Sequence, residues 1–280
     1  MNEASNGSIK TKHFEFGRNW RGFLAVLNED RIVEAEKSLQ KMLSVEDLKE
    51  KSFLDAGAGS GLFSLAARRM GARVHSFEYD AEAVQCTKDL KNRYFPNDSN
   101  WTVEQGDALD AAYLASLGKF DVVYSWGVLH HTGAMWKALE NILLPLADGG
   151  VLFISLANRQ SFMTAYWRAV KRFYNWAPRP IKLLMGLKFY VFFAAGTFVA
   201  DLARGRNPMD RHTGRGRRGM SMYRNVVDWI GGWPFEVASP EEVFRFYRDR
   251  GLILTELKTC AGKHGCNEYV FQKRSISPAR

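Results

Sequence analysis

One carboxylate and three glycines, all within residues 55–61, have a spacing that suits nucleotide binding. Asp55 ends a short apolar run, and Gly57, Gly59 and Gly61 follow at alternate positions before an amphipathic stretch. Glycine lacks the Cβ atom that would block the close approach of a ligand to the backbone. The amphipathic stretch predicts a helix, whose first turn leaves backbone N–H groups that can face a ligand. The segment therefore predicts a nucleotide-binding turn between a strand and a helix.

The order of the acid and the glycines argues against a dinucleotide ligand. Dinucleotide sites favour G-x-G-x-x-G, with the pyrophosphate on the helix N-terminus. Here Asp55 precedes the glycines, and its carboxylate would repel a pyrophosphate but suits a ligand that carries an ammonium group. The segment resembles motif I of the class I S-adenosylmethionine (SAM) methyltransferases. The resemblance implies that this turn holds the methionine and ribose parts of SAM; a plain glycine-rich turn is the alternative.

Acidic residues also follow two further predicted strands. The run 72–78 alternates and predicts a strand that ends at Glu78, 23 residues after Asp55. An acid about 20 residues downstream, at a strand end, is the expected acceptor for ribose hydroxyls. In the resembled family, the acid at the position of Asp107 accepts from the adenine amino group, and the N–H of the next residue, Ala108, reaches the ring. A surface role in a turn is the alternative for both acids.

The resemblance assigns a set of side chains and backbone groups at the carboxyl edge of the predicted strands to the cofactor. Ser125, near the end of the fourth strand, falls at the same edge as the three acids. The residues expected to bind SAM are Asp55, Gly57, Gly59, Gly61, Glu78, Tyr79, Asp107, Ala108 and Ser125.

Two adjacent histidines follow the fourth predicted strand, beside the position that the resemblance implies for the reacting methyl group. Methyl transfer to a hydroxyl, thiol or amine is helped by a general base, and imidazole suits proton removal near neutral pH. We expect His130 to be this base, with His131, His212 and Tyr223 as alternates; a packed or ribose-side role for His130 is the structural alternative. The segment 125–131 lacks the clustered acids of the metal-dependent branch of the family, so no metal is expected.

The elements that must position these residues alternate between strand and helix over 51–158, which predicts right-handed crossovers and a doubly wound, parallel sheet. The expected fold is an α/β class I methyltransferase, Rossmann-like, with a mostly parallel seven-stranded sheet. We interpret 1–50 as an N-terminal arm and helix that closes over the cofactor, 51–158 as the SAM-binding core, 159–238 as a basic, aromatic, helical cap insertion, and 239–280 as the final helix and antiparallel strand pair.

The cap insertion is too long to be a structureless loop. Residues 159–218 hold 13 Lys and Arg against 2 Asp and Glu, so this region should face an anion. The run 189–200 is apolar for about 12 residues, against about 20 for a spanning helix. It is interpreted either as a buried cap or dimer helix, or as a helix at a membrane interface through 161–203. His212, Tyr223, Asp228 and Trp233 are predicted to line the substrate site; a small aromatic core is the alternative.

The motifs and the resemblance together predict methyl transfer from SAM to a hydroxyl, or another heteroatom, of a small-molecule or lipid-like acceptor that is partly anionic and partly apolar. An RNA methyltransferase is the alternative, but Ser125 and the next three residues replace the motif that exocyclic base nitrogens require. The other alternative is a non-catalytic protein that has the SAM-binding fold and serves in protein interaction or membrane docking. Three cysteines without a cluster and a polar N-terminus predict a cytoplasmic protein, with membrane association and homo-oligomerisation left open.

Overall fold

A single sheet of seven strands forms the centre of the molecule, in the order β3-β2-β1-β4-β5-β7-β6. The computed structural model describes residues 17–25, 27–205, 207, 222–261 and 265–275. The strands are β1 (Ser52–Ala56), β2 (Arg73–Glu78), β3 (Trp101–Gln105), β4 (Phe120–Trp126), β5 (Leu146–Ala157), β6 (Leu252–Lys258) and β7 (Cys266–Lys273). The first five pair in parallel, and β7 runs antiparallel to both of its neighbours. The predicted fold class is confirmed.

Ten helices connect or extend the described strands. They are α1 (Gly17–Leu24), α2 (Glu29–Leu43), α3 (Leu62–Arg69), α4 (Ala81–Tyr94), α5 (Ala111–Ser116), α6 (Met135–Asn141), α7 (Ser161–Trp176), α8 (Arg179–Leu202), α9 (Met222–Gly231) and α10 (Pro240–Arg248). Local sequence explains several of their starts. Asp80 accepts the backbone N–H groups of Glu82 and Ala83, and Ser239 forms a reciprocal capping box with Glu242, as its position before acids predicts.

The sheet separates two buried layers because successive side chains of a strand point to opposite faces. Phe53 packs with Trp101 and Leu39 on one face, whereas its neighbour Leu54 packs with Leu139 and other residues on the second face. The order of the strands reverses between β1 and β4. In open α/β sheets a ligand binds outside the carboxyl ends of the strands at such a reversal. The topology therefore places the expected site where β1 and β4 end.

Helices α7, α8 and α9 share a third core, which is rich in aromatic side chains. Its buried members include Trp167, Phe189, Ile230 and Phe235. The division of the chain into arm, core, cap and closing elements stays a prediction.

Helix α8 is longer than the apolar run that the sequence indicated. The helix extends over 24 residues because leucines at 183, 184 and 187 precede that run. In the described part of the chain, α8 is the helix that is long and apolar enough to cross a membrane, by length and composition alone. The expectation that this segment is too short to span is therefore wrong, although length and composition do not decide whether it does so.

Candidate functional site

The loop after β1 is shaped by its three glycines. Gly57, Gly59 and Gly61 have φ angles of 84°, 58° and 79°, a region that side chains with a Cβ atom rarely adopt. A Cβ atom on Gly57 would lie 2.4 Å from the Val128 side chain, and one on Gly59 would lie 2.9 Å from the ring of Trp20. The loop thus fits closely between the segment after β4 and helix α1. This contact brings the N-terminal arm onto the glycine loop.

Glu78, at the end of β2, is joined directly to this loop. One carboxylate oxygen accepts the backbone N–H of Gly59 at 2.9 Å, and the other accepts that of Tyr79 at 2.8 Å. Burial raises the pKa of Glu78, although these donors favour the ionised form. A carboxylate has about four lone-pair positions. Oε1 also accepts the backbone N–H of Asp80 at a longer 3.5 Å, and the remaining accepting capacity of the carboxylate suits ribose hydroxyls, so this acceptor fits the sugar of SAM.

Asp55 lies below the loop, at the end of a buried chain of hydrogen bonds. The indole N–H of Trp101 donates to Ser76 (2.9 Å), Ser76 donates to Ser64 (2.7 Å), and Ser64 donates to Asp55 (2.5 Å). Burial is the largest cause that raises the pKa of Asp55 to about 7, and the nearby Glu78 adds to the rise. One carboxylate oxygen of Asp55 is thus already hydrogen-bonded to Ser64 within the fold, which the sequence did not indicate. Its contact with SAM stays a prediction.

The other expected cofactor residues lie at the same sheet edge with different local roles. Asp107 accepts the N–H of Leu109 at 2.8 Å, and the Ala108 carbonyl accepts from Asn141 at 3.1 Å. Tyr79 has an exposed side chain. The hydroxyl of Ser125 is buried and donates to the carbonyl of Ala56 at 2.8 Å, so this side chain ties β4 to β1. The structure gives that hydroxyl a role within the sheet, and its binding to SAM is only a prediction.

The two histidines occupy a short 3₁₀ turn, Leu129–His131, after β4. His130 is 3% exposed, and its Nδ1 has no hydrogen-bond partner among the residues that the structure describes. Burial, with the nearby His131 and Lys171, lowers the pKa of His130 well below its usual range, so the ring is neutral at pH 7. The Nδ1 of His131 lies 2.6 Å from the carbonyl oxygen of Pro234, which can only accept, so this nitrogen carries the hydrogen.

The turn after α9 holds this histidine pair from the other side. The backbone N–H of Glu236 donates to the carbonyl of His130 at 2.9 Å, and the Glu236 carboxylate accepts the N–H of Met135 at 2.9 Å. A Cβ atom on Gly232 would lie 2.8 Å from the ring of His131. Trp233, in the same turn, packs with the third core. The turn is therefore both part of that core and a wall against the histidines.

Lys171 is a functional candidate that the sequence reasoning missed. It is 1% exposed, donates to the carbonyl of Trp229, and lies 4.6 Å and 4.5 Å above the rings of Trp229 and Phe235. Burial lowers the pKa of Lys171 to about 7, whereas the two ring faces favour its cation. Arg168 and Asn175, which share a face of α7 with Lys171, donate to the carbonyls of Phe235 and Gly231. This i, i+3, i+7 spacing was the available signal.

The expected substrate residues are only partly brought together. Tyr223 lies where α9 meets α8, with its ring centre 6.0 Å from that of Tyr190. Burial raises the pKa of Tyr174, and the nearby Tyr223 and Asp228 add to this rise, so both lie close to it. His212 falls outside the described residues. Lining of a substrate site by Tyr223, Asp228 and Trp233 stays a prediction. In the described ranges, no three His, Cys, Asp or Glu residues are placed to hold a metal ion.

Comparisons with known proteins agree with this geometry. The family described as "Methyltransferase domain" matches residues 27–189. A ribosomal protein L11 methyltransferase of Helicobacter hepaticus is 30% identical over 117 residues, which are 41% of this chain and 34% of that protein. A ubiquinone biosynthesis O-methyltransferase of Parvibaculum lavamentivorans is 29% identical over 122 residues, 41% of this chain and 44% of that protein. The chain thus spans less than half of these relatives.

A solved structure shares the fold over most of the chain. The magnesium protoporphyrin IX methyltransferase of Synechocystis PCC 6803, crystallised with S-adenosylhomocysteine (SAH), superposes with a TM-score of 0.53 and 15% identity. The match covers 91% of this chain and 93% of that one. At this identity the likeness establishes the fold alone.

Proposed function

The chain belongs to the methyltransferase domain family, and from this premise we propose that it transfers the methyl group of SAM to a hydroxyl, or another heteroatom, of a small-molecule or lipid-like acceptor. The observation that carries the proposal is the hydrogen bond between Glu78 and the N–H of Gly59. It joins the carboxylate after β2 to the glycine loop after β1, where the ribose of SAM would bind. Asp107, after β3, extends the same edge toward the adenine.

SAM, when bound, supplies an electrophilic methyl group on a positively charged sulfur. The protein must then hold an acceptor in line with that methyl group and remove its proton. His130 is suited to the second task because its ring is neutral at pH 7 and its Nδ1 has no partner in the described structure. In our proposal this nitrogen takes the proton of the acceptor hydroxyl. The hydrogen bond of Glu236 to the His130 carbonyl fixes the turn that carries the ring.

Lys171 limits the chemistry of this base. Its ammonium form lies close enough to lower the pKa of His130, so the protonated imidazole is disfavoured while Lys171 is charged. Burial lowers the pKa of Lys171 to about 7, so the ammonium form of this side chain, and its effect on His130, weakens as pH rises above neutral.

The acceptor class follows from the aromatic and basic character of the insertion. The third core presents aromatic rings beside the histidine turn, and the sequence over 159–218 is strongly basic. An acceptor with an apolar body and an anionic group suits both features. A hydroxylated aromatic or polyprenyl-like molecule with a carboxylate or phosphate is of this class.

The proposal is tested with SAM labelled in its methyl group. The purified protein is incubated in parallel with hydroxylated aromatic acids, with their thiol and amine analogues, with total RNA, and with ribosomal protein L11. We expect the label in the organic-extractable hydroxyl products, and a large loss of that label for His130→Asn. Label in L11 or RNA, with none in the small molecules, would instead support a macromolecular acceptor, such as the one named for the Helicobacter relative.

A further inference from the structure

Helix α8 carries a continuous apolar stripe on its solvent-facing side. Five large side chains recur at helical spacing along this face and are between 48% and 66% exposed: Leu184, Leu187, Val191, Phe198 and Leu202. The stripe extends over 18 residue steps, or about 27 Å at 1.5 Å per residue. An apolar surface of this length on a soluble domain marks a contact site for a partner or a membrane.

The opposite side of α8 is covered by the protein itself. Gly186 and Phe189 are buried, the ring of Phe193 stacks on Trp167 of α7, and the ring of Phe189 packs against Trp167 at a tilt. Tyr223 of α9 also contacts this side at Gly186. If α8 crossed a bilayer, lipid or other membrane-spanning helices would surround its whole circumference. Because one side of α8 is packed on the protein and the other is apolar and exposed, α8 can place a single side against the acyl chains, as a helix in the membrane interface does.

The charges around the stripe identify the kind of surface that would cover it. Between 161 and 205 the chain has seven basic residues and one acidic residue, Asp201, which is buried. The exposed cations on α7 and α8, and just beyond, that do not hold the turn after α9 are Arg172, Arg179, Lys188 and Arg204. A second copy of the chain would bring the same positive charges against each other. An anionic lipid surface attracts each of them and accepts the apolar stripe.

Helix α7 adds exposed aromatic side chains to the same region. Phe162 and Trp176 are 76% and 80% exposed, and Tyr166 and Phe173 are also exposed. They recur at the spacing of one helical face, opposite the face that Arg168, Lys171 and Asn175 use to hold the turn after α9. Trp and Tyr favour the boundary between headgroups and acyl chains. Aromatic residues would therefore anchor the protein at that depth.

We propose that α8, together with the exposed aromatic face of α7, docks the protein on an anionic lipid bilayer, with α8 lying in the plane of the interface. This inference does not depend on the methyltransferase activity. If both hold, acceptors that reside in the membrane would reach the site from the surface to which the protein is bound.

The test is flotation of the purified full-length protein with vesicles of phosphatidylcholine alone, or with phosphatidylglycerol as a minority lipid. We expect binding to the anionic vesicles that weakens as salt is raised, and little binding to the neutral ones. The double variant Leu187→Glu with Val191→Glu should lose roughly tenfold or more in partitioning, because it puts carboxylates on the stripe. Both positions are exposed, so the fold is retained, which circular dichroism checks.

A matched control is Ile253→Glu, an exposed apolar residue on β6 at the far edge of the sheet, which should bind vesicles like the wild type. Equal binding by the double variant and the wild type would overturn the proposal. A wild type that binds no vesicles and sediments as a dimer, with the double variant a monomer, would also overturn it and make a second copy the occupant. Resistance of the bound protein to alkaline extraction would overturn the interfacial position of α8.

Discussion

Replacement of Asp55 by Asn should make the protein more stable at pH 8, although Asp55 belongs to the predicted cofactor site. The folded pKa of Asp55 is about 7, against an ordinary value of 3.8. Between these two values the folded state binds a proton that the unfolded state has lost, so stability falls as pH rises and then levels off above about pH 7. Asn carries no charge at any pH and removes this loss.

The magnitude follows from the size of the shift. A difference of about 3 pKa units costs the folded wild type about 4 kcal/mol above pH 7. Asn accepts the hydrogen bond from Ser64 less strongly than a carboxylate does, which reduces the gain by about 1 kcal/mol. We therefore expect Asp55→Asn to exceed the wild type by about 3 kcal/mol at pH 8, and to be no more stable than it at pH 4.

The assay is urea unfolding of both proteins at intervals between pH 4 and pH 8.5, followed by circular dichroism. A gain of about 3 kcal/mol at pH 8 would move the midpoint by roughly 1 M urea. Asp121→Asn is the control of opposite sign. Burial alone would raise the pKa of Asp121, but its hydrogen bonds from Ser52 outweigh this and lower it, so its carboxylate stabilises the fold at pH 8 and loses that effect in acid. A wild type with flat stability over this range, and a destabilised Asp55→Asn at pH 8, would refute the reasoning.

Three further predictions concern the loop, the base and the buried lysine. Gly57→Ala should lower the free energy of unfolding by about 2 kcal/mol more than Gly118→Ala, because both positions have positive φ but only Gly57 has a neighbour, Val128, within contact distance of a new Cβ. Urea unfolding of the two variants measures the difference, and equal losses of stability would contradict the close fit of the loop. His130→Ala should lower kcat by roughly a hundredfold or more with little change in SAH affinity; a variant with normal kcat would exclude His130 as the base. For Lys171, the unfolded chain keeps the lysine proton up to about pH 10.5, whereas the folded protein loses it at about pH 7, so the free energy of unfolding of the wild type rises with pH between these values. Lys171→Met should flatten that rise, which urea unfolding at several pH values measures. An unchanged dependence of stability on pH would show that the aromatic rings keep the lysine charged.

The central fold was predictable because it depends on local patterns. Each strand over 51–158 is a short apolar or alternating run that ends near a glycine or an acid, and such patterns follow from the period of the pleat. The N-cap at Ser239 was predictable for the same reason, since an acid three residues later completes the capping box within one turn. Residues near in sequence determine both features.

The details of the candidate site were less predictable because they depend on distant contacts. The sequence shows that Asp55 precedes the glycines, but not that Ser64, Ser76 and Trp101 bury it in one chain of hydrogen bonds. Lys171 was counted only as one more basic residue, because the carbonyl it caps lies on α9, 58 residues away in the sequence.

The insertion was misjudged for a different reason. The length of its apolar run was taken from the longest stretch without a charge, which begins after Lys188, whereas helix α8 continues through both Lys182 and Lys188. A long side chain can carry its charge away from an apolar surface, so a single lysine does not end an apolar helix face. The length of the apolar face of α8 is seen only when apolar residues are followed at helical spacing on both sides of Lys188.

Calorimetric titration with SAH tests the central claim, that the carboxyl edge of the sheet holds SAM, most directly. We expect the wild type to bind with a micromolar dissociation constant. Glu78→Ala should bind roughly a hundredfold more weakly, because two hydrogen bonds to a charged acceptor are lost. Glu256→Ala, which removes an exposed carboxylate on β6, should bind like the wild type. A well-folded wild type that does not bind SAH, or a Glu78→Ala variant that binds it equally well, would contradict the account.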